Sequence, residues 1–167
     1  MGPHLGVLLH LLAWLALAHA APPPVVGGEP TDGDPAVVAV QTRGAVCDPR
    51  RTTCTGLIVG PRAVLTAAHC LDDGRADSVQ VGLGADGATA DILYPTEAFV
   101  HPEWTASSRD HDLAVLVLPF PVDTPPVPLF TGGDALAVDA SVRVVGYGTD
   151  LDEDPGQKRS GTARITT

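Results

Sequence analysis

The chain has 167 residues, with 10 Lys or Arg against 20 Asp or Glu, so its formal charge is −10. Hydrophobic residues make up 44% of the chain, which is too many for a disordered protein and enough to bury a core. An acidic chain without a basic patch has no electrostatic footprint for nucleic acid or for an anionic membrane surface. The length allows one domain, or one domain with part of a second.

The first 20 residues have the composition of a secretory signal peptide. They contain no charged residue, residues 5–18 are apolar apart from His10, and Ala18-His19-Ala20 is a small-x-small cleavage signal. The apolar run is shorter than the about 20 residues that a membrane-spanning helix needs. A membrane anchor is the alternative, because no basic residue precedes the run. We therefore predict that residues 1–20 are removed, that the protein is secreted, and that the mature chain does not bind membranes.

Secretion permits disulfides, and the chain has three cysteines, Cys47, Cys54 and Cys70. Three cysteines cannot all pair within one chain, so one of them is free, is bonded to another chain or lacks its partner. Their spacing does not match a zinc site. No metal site and no cofactor is predicted.

Beyond residue 20, the sequence predicts an all-β protein. Short runs rich in β-branched and apolar residues recur between turn signals, and no window sustains the periodicity of a helix. The predicted strands are residues 36–42, 55–59, 63–66, 78–83, 92–94, 98–100, 113–118, 141–145 and 161–166. Such spacing is typical of a barrel or a sandwich. The proline-rich stretch 120–133 predicts a surface connection between two β units.

Two residues have the chemistry of an acid–base pair. His69 follows the predicted strand 63–66, where a purely structural histidine is the alternative. Asp112 opens the run Asp-Leu-Ala-Val-Leu-Val-Leu, which is apolar enough to be buried on both faces. A carboxylate at the mouth of such a strand needs a partner, unless it caps the strand in solvent. An imidazole is one such partner, and a carboxylate that fixes the tautomer of an imidazole is half of an acid–base relay.

Four strings in order along the chain resemble the chymotrypsin/trypsin-like serine peptidases. They are Val-Val-Gly-Gly from Val25, the stretch from Cys54-Thr-Gly-Leu-Ile to Leu-Thr-Ala-Ala-His-Cys70, His111-Asp-Leu-Ala-Val-Leu, and Val-Val-Gly-Tyr-Gly from Val144. Thr-Ala-Ala-His-Cys is the specific string, and the resemblance covers the chain from Val25 onward. It implies an all-β fold of two six-stranded antiparallel barrels with the catalytic residues between them.

The resemblance also assigns roles to particular residues. It implies that His69 is the general base, that Asp112 is the buried carboxylate that orients it, and that the substrates are proteins or peptides. It pairs Cys54 with Cys70 in a disulfide that holds the loop leading to His69. It divides the chain into a pro-segment (21–24), a complete first barrel (25–119), the connection 120–133 and the truncated start of a second barrel (134–167). The oligomeric state is not predicted.

Two features depart from the family pattern. The family's nucleophilic serine lies in Gly-Asp-Ser-Gly-Gly, and no serine after residue 20 has these neighbours. By the spacing of the family's catalytic residues, that serine is expected about 40 residues beyond Thr167, so this chain by itself is predicted to be inactive. Pro24 stands where family members have a basic residue for activation, so a new N-terminus at Val25 requires an unusual protease or is not formed.

Three further features receive no role in the interpretation. The acidic run 150–154 lacks the ligand spacing of a known calcium loop. His101 lies in a predicted turn, and His111 is expected to point to the opposite side of the strand from Asp112.

Two hypotheses follow. In the first, the chain belongs to a secreted serine endopeptidase whose serine-bearing part is absent from these 167 residues. In the second, it is a naturally short, non-catalytic binding protein with a peptidase-like barrel. We favour the first, because a second barrel that stopped after two strands would leave open edges and half a core.

Overall fold

A computed structural model describes residues 28–42, 53–71, 74–86, 91–131, 137–147 and 156–166. The predicted signal peptide and pro-segment, Val25, Cys47 and the acidic run 150–154 lie outside the described residues. Within those ranges, no helix is long and apolar enough to cross a membrane. Helical geometry in them is confined to two 3-10 turns of three residues each, Ala68–Cys70 and Ala76–Ser78.

Ten β-strands form in the described residues, and the all-β prediction is confirmed. In chain order they are β1 (Glu29–Pro30), β2 (Val37–Thr42), β3 (Thr53–Gly60), β4 (Ala63–Thr66), β5 (Val79–Leu83), β6 (Asp91–Leu93), β7 (Glu97–Val100), β8 (Ala114–Val117), β9 (Ser141–Tyr147) and β10 (Lys158–Arg164). Each of the nine predicted strands is present, with ends that differ by three residues or fewer. The strand β1 was not predicted.

Seven of the strands form one antiparallel sheet in the order β6-β5-β2-β3-β4-β8-β7. The two edge strands, β6 and β7, are separated along the chain only by residues 94–96. Four residue steps span at most about 14 Å, so the two edges of the sheet lie close together. The sheet is therefore strongly curled. Residues 91–100 supply two of these strands: β6 pairs with β5, and β7 pairs with β8. The sheet therefore has seven strands, whereas the resemblance implied six in each barrel.

The inner face of the curled sheet is an aliphatic core. Its fully buried side chains are Val38, Val40, Ile58, Val64, Val79, Val81, Leu116 and Leu118. The prediction that β8 is buried on both faces is wrong: Ala114 and Leu116 are buried, whereas the alternate residues Val115 and Val117 are partly exposed. Strands that curl around a core alternate between interior and exterior positions, and β8 follows that rule.

A second antiparallel sheet, β1-β10-β9, packs against the curled sheet through the end of β9. The backbone N–H of Tyr147 donates to Thr55 Oγ1 at 2.9 Å. A Cβ on Gly146 would lie 2.8 Å from the same oxygen, so this close approach requires glycine. The Tyr147 hydroxyl donates to the carbonyl of Gly84, and the carbonyl oxygen of Val37 lies 3.3 Å away. Burial raises the pKa of Tyr147, so this hydroxyl keeps its proton as a donor.

Tyr147→Phe is expected to lower the free energy of unfolding by about 1 kcal/mol, the net contribution of one hydrogen bond. The substitution removes the hydroxyl that links β9 to the curled sheet and leaves the Gly84 carbonyl without this donor. Urea unfolding of the protein measures the difference. Ser107→Ala is the control, because it removes a hydroxyl from an exposed residue and surface changes cost less than about 0.5 kcal/mol. Equal losses for the two variants would contradict the role given to Tyr147.

Two basic side chains of β10 hold the segment at the beginning of the described chain. Lys158 is buried, and its Nζ donates to the carbonyls of Gly33 at 3.1 Å and Asp34 at 3.0 Å. Arg159 Nη1 donates to the carbonyl of Gly28 at 3.0 Å. The chain just after the predicted N-terminus is thereby fixed against β10.

Candidate active site

The pairing of β4 with β8 brings the two predicted catalytic residues together. Thr66, the last residue of β4, pairs directly with Ala114, the first residue of β8. His69 follows Thr66 by three residues, and Asp112 precedes Ala114 by two. Because the strands are antiparallel, both side chains start from the same end of the pair, although 43 positions separate them in the sequence.

His69 occupies the middle of the 3-10 turn Ala68–Cys70. Its two neighbours in the turn are buried, whereas its own side chain is 49% exposed. A disulfide between Cys54 and Cys70 joins the turn to β3, and the predicted pairing of these two cysteines is confirmed. The buried Ala68 and the disulfide-bonded Cys70 thus hold the turn in place, while the imidazole of His69 is exposed to solvent.

Asp112 contacts His69 through both carboxylate oxygens. The backbone N–H of His69 donates to Oδ1 at 2.8 Å, and Nδ1 of the ring lies 2.6 Å from Oδ2. An ionised carboxylate only accepts hydrogen bonds, so Nδ1 carries the proton. In the neutral ring this leaves Nε2 unprotonated, and Nε2 is the atom that can accept a proton from a reacting group. Nε2 lies 3.6 Å from Cys70 Sγ.

The environment of Asp112 favours its charged form. Partial burial acts to raise the pKa of Asp112, but the hydrogen bonds from the side chain and backbone of His69 outweigh it and lower the pKa below 3.8. The side chain is 24% exposed, so it is less buried than the resemblance implied. Within the described residues, one side of the carboxylate faces solvent and the other holds the histidine.

The lowered pKa predicts a particular dependence of stability on pH. A carboxyl whose pKa is lower in the folded than in the unfolded state stabilises the fold above its unfolded pKa, and this stabilisation is lost as the pH falls through the folded pKa. We expect the difference in unfolding free energy between the wild type and Asp112→Asn to shrink as the pH falls below 3.8 and through the lowered pKa of Asp112. Denaturant unfolding of the two full-length proteins across the acid range measures this difference. A difference that grows as the pH falls below 3.8 would contradict the account.

The other predicted site residues fall into two groups. Val25 and Cys47 lie outside the described residues. The ring of His111 stacks on that of His101, with 4.7 Å between ring centres. The sequence reasoning missed that Glu103 joins these two histidines, because the three residues share no recognisable motif.

A curled antiparallel sheet with a histidine–aspartate pair at the end of two adjacent strands is the architecture of a chymotrypsin-like serine peptidase. The family model described as Trypsin matches residues 25–166. The chain belongs to this trypsin family.

Relatives with curated names agree with this membership. A trypsin of Saccharopolyspora erythraea is 30% identical over 130 residues, which cover 74% of this chain and 55% of that protein. A trypsin of Simulium vittatum is 32% identical over 155 residues, which cover 84% of this chain and 60% of that protein. The chain thus spans only about half the length of these curated relatives.

Solved structures share the fold. The scabies mite inactivated protease paralogue S-D1 superimposes with a TM-score of 0.73 at 19% identity, over 86% of this chain and 64% of that one. The VesB protease of Vibrio cholerae superimposes with a TM-score of 0.69 at 24% identity, over 85% of this chain and 45% of that one. The expected chymotrypsin-like architecture is confirmed.

Proposed function

We propose that this chain is the histidine- and aspartate-bearing part of a secreted serine endopeptidase, which hydrolyses peptide bonds in protein or peptide substrates. The observation that carries the proposal is the 2.6 Å contact between His69 Nδ1 and Asp112 Oδ2, together with the backbone hydrogen bond that fixes the same carboxylate. Secretion is supported by the apolar N-terminal segment and by a disulfide, which persists in oxidising compartments.

In this proposal His69 moves the protons of the reaction. Its Nε2 takes the proton of a serine hydroxyl while the serine oxygen attacks the substrate carbonyl, and then gives the proton to the leaving amine. Asp112 keeps the proton of the neutral ring on Nδ1 and stabilises the imidazolium that forms when Nε2 gains its proton. The nucleophilic serine, the oxyanion-hole amides and the specificity pocket would come from sequence outside these 167 residues.

The alternative is a non-catalytic binding protein with the same fold. Solved structures with this fold include an inactivated protease paralogue, and a fold alone does not imply an activity. A binding surface has no use for a histidine held in one tautomer by a carboxylate, and for that reason the endopeptidase is the better supported function.

The intact mass of the protein secreted by its native source, with its C-terminal peptide sequenced, separates these functions. The endopeptidase predicts a mass well above that of residues 21–167, a Gly-Asp-Ser-Gly-Gly peptide, and casein hydrolysis that His69→Ala abolishes. Ser107→Ala is the control, because Ser107 is exposed and lacks glycine neighbours. A product that ends at Thr167 and hydrolyses nothing would overturn the endopeptidase and leave the binding protein.

A further inference from the structure

A second cluster of chemically active side chains lies in the loop between β7 and β8, in the stretch that ends immediately before Asp112. His101, Glu103 and His111 each offer one ligand atom, and these atoms all lie within 4.8 Å of one another. His111 Nε2 is 3.6 Å from Glu103 Oε2, and the two imidazole rings are stacked with planes 12° apart. The acid–base chemistry proposed above uses none of the three.

We propose that His101, Glu103 and His111 bind a divalent transition metal of the Zn²⁺ type. Two imidazoles and one carboxylate are a ligand set that zinc takes in proteins, with water in the fourth position. Hard cations such as Ca²⁺ and Mg²⁺ prefer oxygen ligands, so two histidines select against them. No pattern in the sequence predicted this site, because its two histidines are ten residues apart and neither belongs to a spaced metal motif.

The backbone prepares the two histidines for a common ligand. The N–H of His101 donates to the carbonyl of Leu113 at 2.9 Å, which ties the beginning of the loop to the segment just after Asp112. His111 has a positive φ of 57°, and this left-handed conformation accompanies the turn that places its ring on His101. Both ends of the loop are therefore held at the site before a metal arrives.

Metal binding requires only small movements of exposed side chains. Tetrahedral zinc places neighbouring ligand atoms about 3.3 Å apart, so the three atoms must close by about 1.5 Å at most. The side chains of His111 and Glu103 are 49% and 71% exposed, so they are free to rotate. The stacked rings must tilt, because the lone pair of an imidazole nitrogen lies in the plane of its ring. The 3.2 Å hydrogen bond from Glu103 N–H to His101 Nδ1 gives way if the ring turns or changes tautomer.

A bound metal would close the loop 101–111 immediately before Asp112. It would join the residue that follows β7 to the residue that precedes the catalytic carboxylate. The proposal does not rest on the proposed peptidase function, because none of the three side chains takes part in the hydrogen bonds between His69 and Asp112. The expected consequence is a metal-stabilised loop, not a new reaction.

Calorimetric titration of the full-length secreted protein with ZnCl₂ tests the proposal, supported by the visible spectrum of the Co²⁺ complex. We expect one Zn²⁺ per chain, a tetrahedral Co²⁺ spectrum, and a Tm that rises with zinc because the metal binds the folded state. His101→Gln and His111→Gln should each weaken binding by more than about 10-fold, the smallest loss seen even for residues that merely support a metal ligand. Glu103→Gln removes the carboxylate charge and should weaken binding as well.

His69→Gln is the matched control, because His69 is an equally exposed imidazole outside the cluster. Zinc affinity should be unchanged in this variant. The proposal is overturned if zinc does not bind, if binding survives both His101→Gln and His111→Gln, or if His69→Gln abolishes it. The Tm of each variant without metal shows that it is folded, so lost binding cannot be mistaken for lost structure.

Discussion

Asp112→Asn is expected to lower kcat of the proposed peptidase by about 10⁴-fold, the loss that this change causes in the Ser-His-Asp template. The reason lies in the two contacts of the carboxylate. Oδ1 accepts a hydrogen bond from the backbone N–H of His69, so in Asp112→Asn the amide oxygen must occupy this position. The NH₂ group then faces Nδ1, which has to become an acceptor. The proton moves to Nε2, and the ring can no longer take a proton from serine.

Hydrolysis of a peptide substrate by the two proteins measures this effect. Asp110→Asn is the matched control, because it removes an exposed carboxylate two residues away and should leave kcat unchanged. If Asp112→Asn retained full activity, the tautomer argument would be wrong. A rise in KM with kcat unchanged would assign Asp112 to substrate binding and not to the orientation of His69.

Removal of the Cys54–Cys70 disulfide should lower the free energy of unfolding by about 3 kcal/mol. The two cysteines are 16 positions apart, and a cross-link over a loop of this size restricts the unfolded chain by about that amount. The turn that carries His69 would also lose its anchor to β3, so activity should fall together with stability. Denaturant unfolding of Cys54→Ala/Cys70→Ala measures the first effect, and peptide hydrolysis by the folded fraction measures the second.

Arg75→Gln is the comparison for this experiment. It breaks an ion pair with Asp77 whose partners are 65% and 61% exposed, and such pairs contribute less than about 1 kcal/mol. The disulfide variant should therefore lose several times more stability than Arg75→Gln. Similar losses in the two proteins would show that the disulfide does not hold this part of the fold.

Most of the strands were predictable, because their local composition is rich in β-branched and apolar residues. β4, with the sequence Ala-Val-Leu-Thr, was predicted with its observed ends. β1 was not predicted, because two residues that include Pro30 carry no alternating pattern and become a strand only by pairing with β10. The exposure of Val115 and Val117 also depends on how the sheet curls, which composition does not reveal.

The pairing of His69 with Asp112 was predicted mainly from a resemblance and not from the residues alone. A histidine and an aspartate 43 positions apart give no local signal, and the Thr66–Ala114 pairing that unites them is a property of the folded sheet. The cluster of His101, Glu103 and His111 had no resemblance to support it. The loop that carries it has positive φ at Arg109 and His111, a conformation that is uncommon outside glycine and that sequence patterns do not predict.

Labelling of the natively secreted protein with a fluorophosphonate probe, followed by peptide mapping, tests the central claim most directly. The probe reacts with a serine only where a neighbouring base activates it. The account predicts one labelled serine in a Gly-Asp-Ser-Gly-Gly peptide, with labelling lost in His69→Ala and kept in Ser107→Ala. A protein that is folded, is secreted and takes up no label would contradict the assignment of His69 and Asp112 to a working serine peptidase.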